Sequence, residues 1–525
     1  MSDCDYTSAE EASHPILSCK DASDWEKRAL ETDRSEWAAM QSVGRQLGAG
    51  ILADYRMTRY AEDCLKTFAL IGTGHNGGDA LLAIGEMHRR GVIGKVALAI
   101  VGSLADLKPR SRQAFDLLER AVPQEDLATI ELIESGEPCW LARLSAMLGE
   151  SRFDIGIDGL LGMSFRPPLR EIAKEALARF NGAAMRLKVA VDLPSGLGDT
   201  SDESRFKADA TYATGILKKP LLCRANANSV GCIRYLDIGF FRNNFESTER
   251  VLTDSILDPI RERRASHSDK RSHGRLLILA GSAKMPGALL MCVRSALQSG
   301  VGLLTVCAPE SLVPQFAAAV PEAMWVPWPE TPGGGLALEG ISLLKRLGFE
   351  PDAVVMGPGI GSEAESVALL AESASVLGGP VVVDADALRP EVIESWKGRF
   401  VATPHEGEFQ RLLREPSTLD KGLMDYARSN SGVIALKGPN TRISDGTRLY
   451  LNPTGNAVLA RGGSGDLLAG MTGALLAASP ERPLDVVCRA VYWHGKVADA
   501  IAARKGQVAV RTTDLLDMYG PALML

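Results

Sequence analysis

Along the first half of the chain, short apolar runs are separated by longer stretches with helical spacing. KTFALIG (66–72) reads as a buried strand, ALLAIGEMHRRG (80–91) as a helix stopped by Gly91, and KVALAIVG (95–102) as the next strand. FDIGIDGLLG (153–162) and RLKVAVDLPSG (186–196) continue the series. Runs that are apolar throughout, rather than at alternate positions, belong to strands buried on both faces. Their alternation with helices predicts a parallel sheet covered on each side. The pattern restarts after residue 270, with GRLLILAG (274–281), VGLLTVCAP (301–309), DAVVMGPG (352–359), PVVVDADAL (380–388), RFVATP (399–404) and GVIALKG (432–438). Between the two blocks lies TDSILDPIRERRASHSDKRSH (253–273), polar and rich in charge. The expected organisation is therefore a disordered leader over residues 1–20 and two α/β domains, 21–252 and 253–525, with no short repeat or low-complexity tract.

Composition narrows this picture without changing it. A chain of 525 residues exceeds one ordinary domain, and 46% hydrophobic with 23% charged residues is the balance of a globular protein. The net charge of −7 argues against a nucleic-acid partner. No apolar run is long enough to span a membrane, and the start, MSDCDYTSAEEASH, is too acidic for a signal peptide. Nine scattered cysteines with no C-x-x-C pair read as reduced thiols in a cytoplasmic protein, and the seven histidines lack metal-ligand spacing.

Two stretches carry candidate chemistry. In NPTGNAVLARGGSGDLLAGM (452–471), Gly462, Gly463, Ser464 and Gly465 run into Asp466 and an apolar helix. Asp466 is either a helix cap or a base set in a cradle of backbone N–H groups suited to a phosphate. In GTGHNGGDA (72–80), a G-x-G-x-x-G follows a strand and opens a helix. An NAD fingerprint also needs an acid at the end of the next strand, and that strand ends AIVGSL. The loop thus reads as a site for a phosphate-bearing ligand outside hydride transfer, or as a tight turn. Asp158 and Asp192 end two further strands and converge on the same crevice, because ligands of parallel sheets bind at strand carboxyl ends. No G-x-x-x-x-G-K-[ST] occurs, which excludes a P-loop.

The glycine loop, the strand ending at Asp158, VAVDLPSG and KADATYATGILKKPLL (207–222) arrive in the order found in NAD(P)H-hydrate epimerases, and residues 35–245 resemble that family. His75 and GMSF (162–165) depart from its usual residues. The resemblance implies a Rossmann-like αβα layer structure. It places His75, Asn76, Gly77, Gly78, Asp79 and the loop Gly162, Met163, Ser164, Phe165, Arg166, Pro167 and Pro168 around the substrate. Asp192 would be the acid/base, and Asn76, Asp158 and Ser195 would hold potassium.

Residues 265–525 resemble the ADP-dependent NAD(P)H-hydrate dehydratases of the ribokinase-like superfamily, through Asn452 to Asn456, Gly462 to Asp466, Thr403 to Glu408, Val383 to Leu388, Lys437 to Thr441 and the opening stretch 281–306. That likeness implies a second αβα layer structure with Asp466 as catalytic base. Ala288, Gly359, Gly361, His405 and Asp466 would face the substrate. Lys437, Gly438, Pro439, Asn440, Thr441, Gly462, Gly463, Ser464 and Gly465 would hold ADP. Glu408 would help place magnesium. The implied whole is a two-domain repair enzyme acting on small molecules, a homo-oligomer with no nucleic-acid or membrane partner. The alternatives are a ribokinase-like small-molecule kinase with a non-catalytic N-terminal binding domain, and a first half that serves only as a scaffold.

Overall fold

The computed structural model describes residues 7–30, 32–58, 64–133, 139–150, 152–241, 246–413 and 418–524. The chain divides into two compact units: Pro15–Phe245 with Ala502–Gln507, and Met1–His14 with Glu246–Ile501 and Val508–Leu525. Among the described residues, no helix is long and apolar enough to cross a membrane.

The N-terminal unit is built on a seven-stranded sheet in the order Leu127–Leu132, Ile93–Val101, Leu65–Ile71, Phe153–Gly159, Met185–Val191, Ala210–Thr214 and Cys232–Leu236. Every pairing in it is parallel, as the unbroken apolar runs require. The helices Asp33–Thr58 and His75–Arg89 pack on one face through Leu47, Ile51, Leu81 and Ile84. On the other face Phe180, from the helix Glu171–Gly182, packs edge-on against Phe68 and tilted against Phe206. The chain starts at Leu65–Ile71, works outward, and returns on the opposite side at Phe153–Gly159. The reversal opens a crevice beyond the carboxyl ends of these two strands.

The C-terminal unit repeats that plan. Its strands run Met324–Trp328, Leu303–Pro309, Arg275–Leu279, Ala353–Met356, Val381–Val383, Phe400–Ala402, Val433–Leu436, Arg442–Ser444, Leu449–Leu451 and Glu249–Leu252. Here the expectation of an all-parallel sheet needs correction, because Arg442–Ser444 is antiparallel to both neighbours. Three-residue strands joined by the turn Asp445–Gly446 are too short to show a period, so this hairpin left no signal in the hydrophobic pattern. The switch in direction again falls between two adjacent strands, Arg275–Leu279 and Ala353–Met356.

Two domain expectations also change. Residues 13–17 of the supposed leader form a fully buried strand, and Ile16 and Leu17 pair in parallel with Leu217 and Lys218. Ahead of it, Ala9 N–H donates to Asp485 (2.7 Å), Thr253 N–H donates to the Ala12 carbonyl (2.9 Å), and Arg250 donates to Ser13 Oγ (2.8 Å) and the Ser13 carbonyl (2.6 Å). The polar average of this segment concealed five residues, SHPIL, that are all buried. Residues 1–6 lie outside the described residues. The boundary moves as well. Glu249–Leu252 pairs with Leu449–Leu451, so the C-terminal unit resumes at Glu246, ahead of residue 253.

Candidate active sites

In the N-terminal unit a cleft of about 660 Å³ opens over the switch point. Gly72, Thr73 and Gly74 form its floor, and His75, Asn76 and Asp79 look into it from the first turns of His75–Arg89. A Cβ on Gly72 would stand 1.9 Å from the Leu160 carbonyl oxygen, so the glycine permits the two strand ends to meet. Asp158, fully buried, accepts from Ser195 N–H (2.7 Å), Ser195 Oγ–H (2.7 Å) and Leu160 N–H (3.2 Å). Burial pushes its carboxyl up to about 6 against the pull of those hydrogen bonds. Asn76 donates its amide to the Leu161 carbonyl (3.0 Å), and Ser195 Oγ accepts from Leu161 N–H (2.9 Å).

Asp192 sits directly after Met185–Val191 with φ 66°, a left-handed conformation that costs an aspartate of order 1–3 kcal/mol and points to a functional constraint. Its backbone N–H donates to the Tyr212 carbonyl (2.8 Å). Its carboxylate accepts from Met163 N–H (3.1 Å), Thr214 Oγ–H (3.3 Å) and the Lys218 ammonium. Lys218 is fully buried, and its remaining contact is the Thr214 carbonyl (3.1 Å). Asp79 Oδ1 has no hydrogen-bond partner, and burial holds that carboxyl well above its ordinary value. At the mouth, His75 Nε2 lies 3.2 Å from Glu36, and burial lowers the ring's pKa.

The C-terminal unit gathers its groups on successive strand ends. Gly357–Gly361 follows Ala353–Met356, Asp384 follows Val381–Val383, Thr403–Glu408 follows Phe400–Ala402, and Lys437 follows Val433–Leu436. A Cβ on Gly357 would lie 1.9 Å from the Asp384 carbonyl oxygen, and one on Gly359 would lie 2.9 Å from the Ala288 Cβ. Asp384 is buried and its Oδ1 accepts from both Lys437 Nζ (2.7 Å) and Thr403 Oγ (2.8 Å).

These strand ends face the start of the helix Ser464–Ala478. Its cap is Gly463, held at φ 91° with no side-chain cap. Asp466 is therefore the third residue of the helix, and the reading of it as a cap fails. A Cβ on Gly465 would lie 3.2 Å from Lys437 Nζ and 3.4 Å from Asp384 Oδ2, which puts both groups over the helix N-terminus. Burial first and the Asp384 charge second push the Asp466 carboxyl up to about 6, while Lys437 opposes them.

Two family models match the chain: residues 40–220 match the YjeF-related protein N-terminus, and residues 276–520 match NAD(P)H-hydrate dehydratase. The bifunctional NAD(P)H-hydrate repair enzyme Nnr of Gloeobacter violaceus is 33% identical over 489 residues, 89% of each chain. The chain belongs to the family of bifunctional NAD(P)H-hydrate repair enzymes. Its namesake from Moorella thermoacetica is 30% identical over 85% of each chain. Among solved structures, the ADP/ATP-dependent NAD(P)H-hydrate dehydratase of Bacillus subtilis, co-crystallised with ATP and magnesium, is 30% identical with a TM-score of 0.43, covering 50% of this chain and 93% of that one.

In this member of the repair family, the residues expected around the N-terminal substrate divide. His75, Asn76, Asp79, Gly162, Met163, Ser164, Phe165 and Asp192 line the cleft. Gly77 and Gly78 do not. They are packing positions, where a Cβ would lie 2.1 Å from the Gly72 carbonyl oxygen and 2.6 Å from Met40 Cε respectively. Arg166, Pro167 and Pro168 also lie off the cleft wall, and Arg166 donates to the Phe165 carbonyl (2.7 Å).

In the C-terminal unit the Lys437 charge acts on Asp466, and Gly438, Pro439, Asn440 and Thr441 form the turn beyond Lys437, where Thr441 Oγ donates to the Gly438 carbonyl (3.3 Å). Glu408, expected to help place magnesium, also caps a helix. Its Oε2 accepts from His405 N–H (2.8 Å), and its own N–H donates to His405 Nδ1 (3.2 Å), a reciprocal cap of the helix Glu406–Leu412.

Four residues escaped sequence reasoning: Glu26, Lys218, Asp384 and His494. Asp384 and Lys218 stood inside quoted motifs, where an acid at a strand end and a lysine after a short strand were the available signals. His494 is buried on the helix Pro483–Lys505 with Nδ1 unpartnered, pushed down to about 4 by burial and the Lys437 charge. A single histidine on an apolar helix gives no cue in sequence.

Proposed function

We propose that the chain repairs hydrated nicotinamide dinucleotides in two steps. The N-terminal unit interconverts the R and S hydrates of NAD(P)H, and the C-terminal unit dehydrates the S form to NAD(P)H at the expense of ADP, giving AMP and phosphate. One observation carries this reading: the likeness to bifunctional repair enzymes extends over 89% of the chain and so takes in both clefts. A kinase with an idle N-terminal domain leaves that breadth unexplained.

In the dehydration, Asp466 takes the proton from the C6 hydroxyl of the hydrated ring, and the hydroxyl oxygen attacks the terminal phosphorus of ADP. AMP departs with the bridging electron pair. The N–H groups at Gly463–Asp466 face the charge that builds on the transferring phosphoryl group, and Lys437, anchored on Asp384, neutralises part of it. Phosphate then leaves C6 with the C–O electrons, and loss of the neighbouring ring proton restores the double bond. Hydroxide would be a far poorer leaving group. Magnesium would assist the phosphoryl transfer by neutralising charge, and Glu408, whose Oε2 accepts from His405 N–H (2.8 Å), would help place it through its other oxygen.

For the N-terminal unit the donor set suits an alkali cation. Asp158 is a fully buried carboxylate, and no cation contributes to its shift; Ser195 Oγ and the Asn76 amide lie within one residue's reach of it around Leu161. Those three side chains would hold potassium, whose positive charge would keep Asp158 ionised and the loop 160–163 in place. A cytoplasmic homo-oligomer completes the proposal. The test is incubation of the full chain with separately prepared R and S hydrates and ADP, following the absorbance of the reduced ring. Consumption of S with ADP, and of R only after conversion to S, is the expected result. ADP-independent turnover, or phosphorylation of an unrelated alcohol in place of dehydration, overturns it.

A further inference from the structure

The N-terminal cleft carries more carboxyls than the chemistry assigned to Asp192 uses. Glu26, on the helix Cys19–Ala29, lines it together with Asp79 and Asp192. The buried cation among them is Lys218, and its ammonium is committed to Asp192 and the Thr214 carbonyl. Three ionised carboxyls against one ammonium would leave two negative charges uncompensated in a poorly hydrated site, so protons remain bound there. The geometry agrees: Asp79 Oδ1 is buried without a hydrogen-bond partner, a place that suits a neutral carboxyl and not a carboxylate. Burial first, then the partner charges, raise both groups, Glu26 to about 7 and Asp79 well above its ordinary value, with Asp192 raising and Lys218 lowering each. The other charged groups on the cleft wall are Lys27, Glu36, Lys108, Arg170 and the His75 ring. Glu36 is engaged by His75 and Arg110, and none of these enters the balance at Glu26 or Asp79.

We propose that Glu26 is a further catalytic acid of the epimerisation, giving its proton to the substrate hydroxyl beside an Asp79 carboxyl that stays neutral. This rests on the epimerase reading above. Inverting C6 requires its C–O bond to break. Glu26 protonates the hydroxyl, the C–O electron pair leaves with water, and the ring nitrogen's lone pair closes a C6=N double bond. Solvent water then adds to the opposite face, its lone pair forming the new C–O bond while the C=N π electrons return to nitrogen. The proton it sheds restores the Glu26 carboxyl. One proton leaves the enzyme and one returns, with no change of oxidation state. Asp192, fixed by Lys218, lines the same cleft as the transient cation.

The experiment measures R-to-S conversion by the full chain without ADP, by chromatography, from pH 5 to 9 in ¹⁸O-water. For wild type, conversion is present at low pH and falls as pH rises through about 7, where Glu26 loses its proton, and ¹⁸O enters the hydrate at the rate of conversion. Glu26→Gln is expected to lower kcat on the order of 10²–10⁴ with KM nearly unchanged, and to abolish the alkaline fall. Glu26→Asp retains part of the rate. Dehydration of pure S hydrate, in the other unit, stays at the wild-type level in both. Should Glu26→Gln fail to fold, Glu26→Asp decides, since a shortened acid is expected to lower kcat at least about tenfold while keeping an alkaline fall. Wild-type conversion and an unchanged profile in Glu26→Gln, a wild-type kcat in Glu26→Asp, or conversion without ¹⁸O entry each overturn the proposal. Failure of the wild type to interconvert R and S would instead sink the epimerase reading itself.

Discussion

Each unit sets a lysine against an aspartate beyond the ends of parallel strands, but the aspartate chosen differs. In the C-terminal unit Lys437 pairs with Asp384, and Asp466 is left beside the pair, raised to about 6. In the N-terminal unit Lys218 pairs with Asp192 itself, and the carboxyls left beside the pair are Asp79 and Glu26. A lysine beside a carboxylate favours the charged form, whereas an unpaired carboxyl in a dry site exchanges protons more readily. By this comparison Lys437–Asp384 and Lys218–Asp192 are expected to act as electrostatic anchors, with the proton traffic at their neighbours. The helix termini themselves are alike, each a 15-residue helix capped by a glycine with no side-chain cap, but Asp466 is the third residue of its helix and Asp79 the fifth of His75–Arg89.

The largest effect is expected from the unpaired member of the C-terminal site. Asp466→Asn keeps shape and removes the basic oxygen, so dehydration of S hydrate is expected to fall on the order of 10²–10⁴-fold while R-to-S conversion is unchanged. Asp384→Asn, by contrast, is expected to raise the KM for ADP more than it lowers kcat, through loosening of Lys437. Steady-state kinetics of both variants check the division. Equal kcat losses would erase the distinction between anchor and base.

Next comes stability. Lys218 is fully buried and the Asp192 side chain 8% exposed, whereas Lys437 keeps 23% of its side chain in solvent. Lys218→Met strands a buried carboxylate at a cost of about 3–5 kcal/mol. Lys437→Met leaves Asp384 with the Thr403 hydroxyl and is expected to cost less, about 1–3 kcal/mol. Urea unfolding of the full chain measures both, and Lys218→Met/Asp192→Leu should recover most of the first loss. A larger penalty at Lys437 would reverse the ranking.

The same comparison explains what the sequence made legible. Both sheets announced themselves because their strands are apolar on both faces, but the strand order, and with it both switch points, emerged only from the structure. Gly462–Asp466 and GTGHNGGDA were visible because glycines in a row mark close backbone approach. What stayed hidden depends on pairing across the fold. Nothing local says that Lys437 belongs to Asp384, 53 residues earlier, or that Glu26 from the opening helix lines one cleft with Asp79. The second task of Glu408 was hidden too: it closes a capping box with His405 at the start of Glu406–Leu412.

A smaller effect is expected at the domain boundary. A fragment beginning at residue 253 lacks Glu249–Leu252, including the buried Val251 and Leu252, and exposes the edge of Leu449–Leu451. One beginning at residue 246 keeps that strand but loses residues 7–14, leaving Arg250 without Ser13 and Asp485 without the Ala9 N–H. The longer fragment is expected to dehydrate S hydrate with stability lowered by about 1–3 kcal/mol, and the shorter to be less stable still. Thermal unfolding of the two, with and without a peptide of residues 1–18 added, ranks them. Equal stability would show that the opening segment contributes nothing to this unit.

The smallest effect is a pH dependence, and it separates the causes of the Asp466 shift. A base must be ionised to act, so dehydration is at its plateau above about 6 and declines as pH falls through that value, by about tenfold per unit once Asp466 is protonated. The first cause of the shift is burial and the second is Asp384, while Lys437 pulls the other way. Asp384→Asn removes a like charge and is expected to move the acid limb of kcat/KM to lower pH. Lys437→Met removes the opposing cation and is expected to move it higher. Burial is unchanged in both, so neither variant should bring the limb back to the ordinary aspartate value of 3.8. The dinucleotide hydrate is itself acid-labile, so the profile is taken as enzymatic rate above the uncatalysed blank at each pH. Limbs that coincide in the three proteins would mean that Asp466 does not feel the Lys437–Asp384 pair, and that the pair's role is confined to holding the nucleotide.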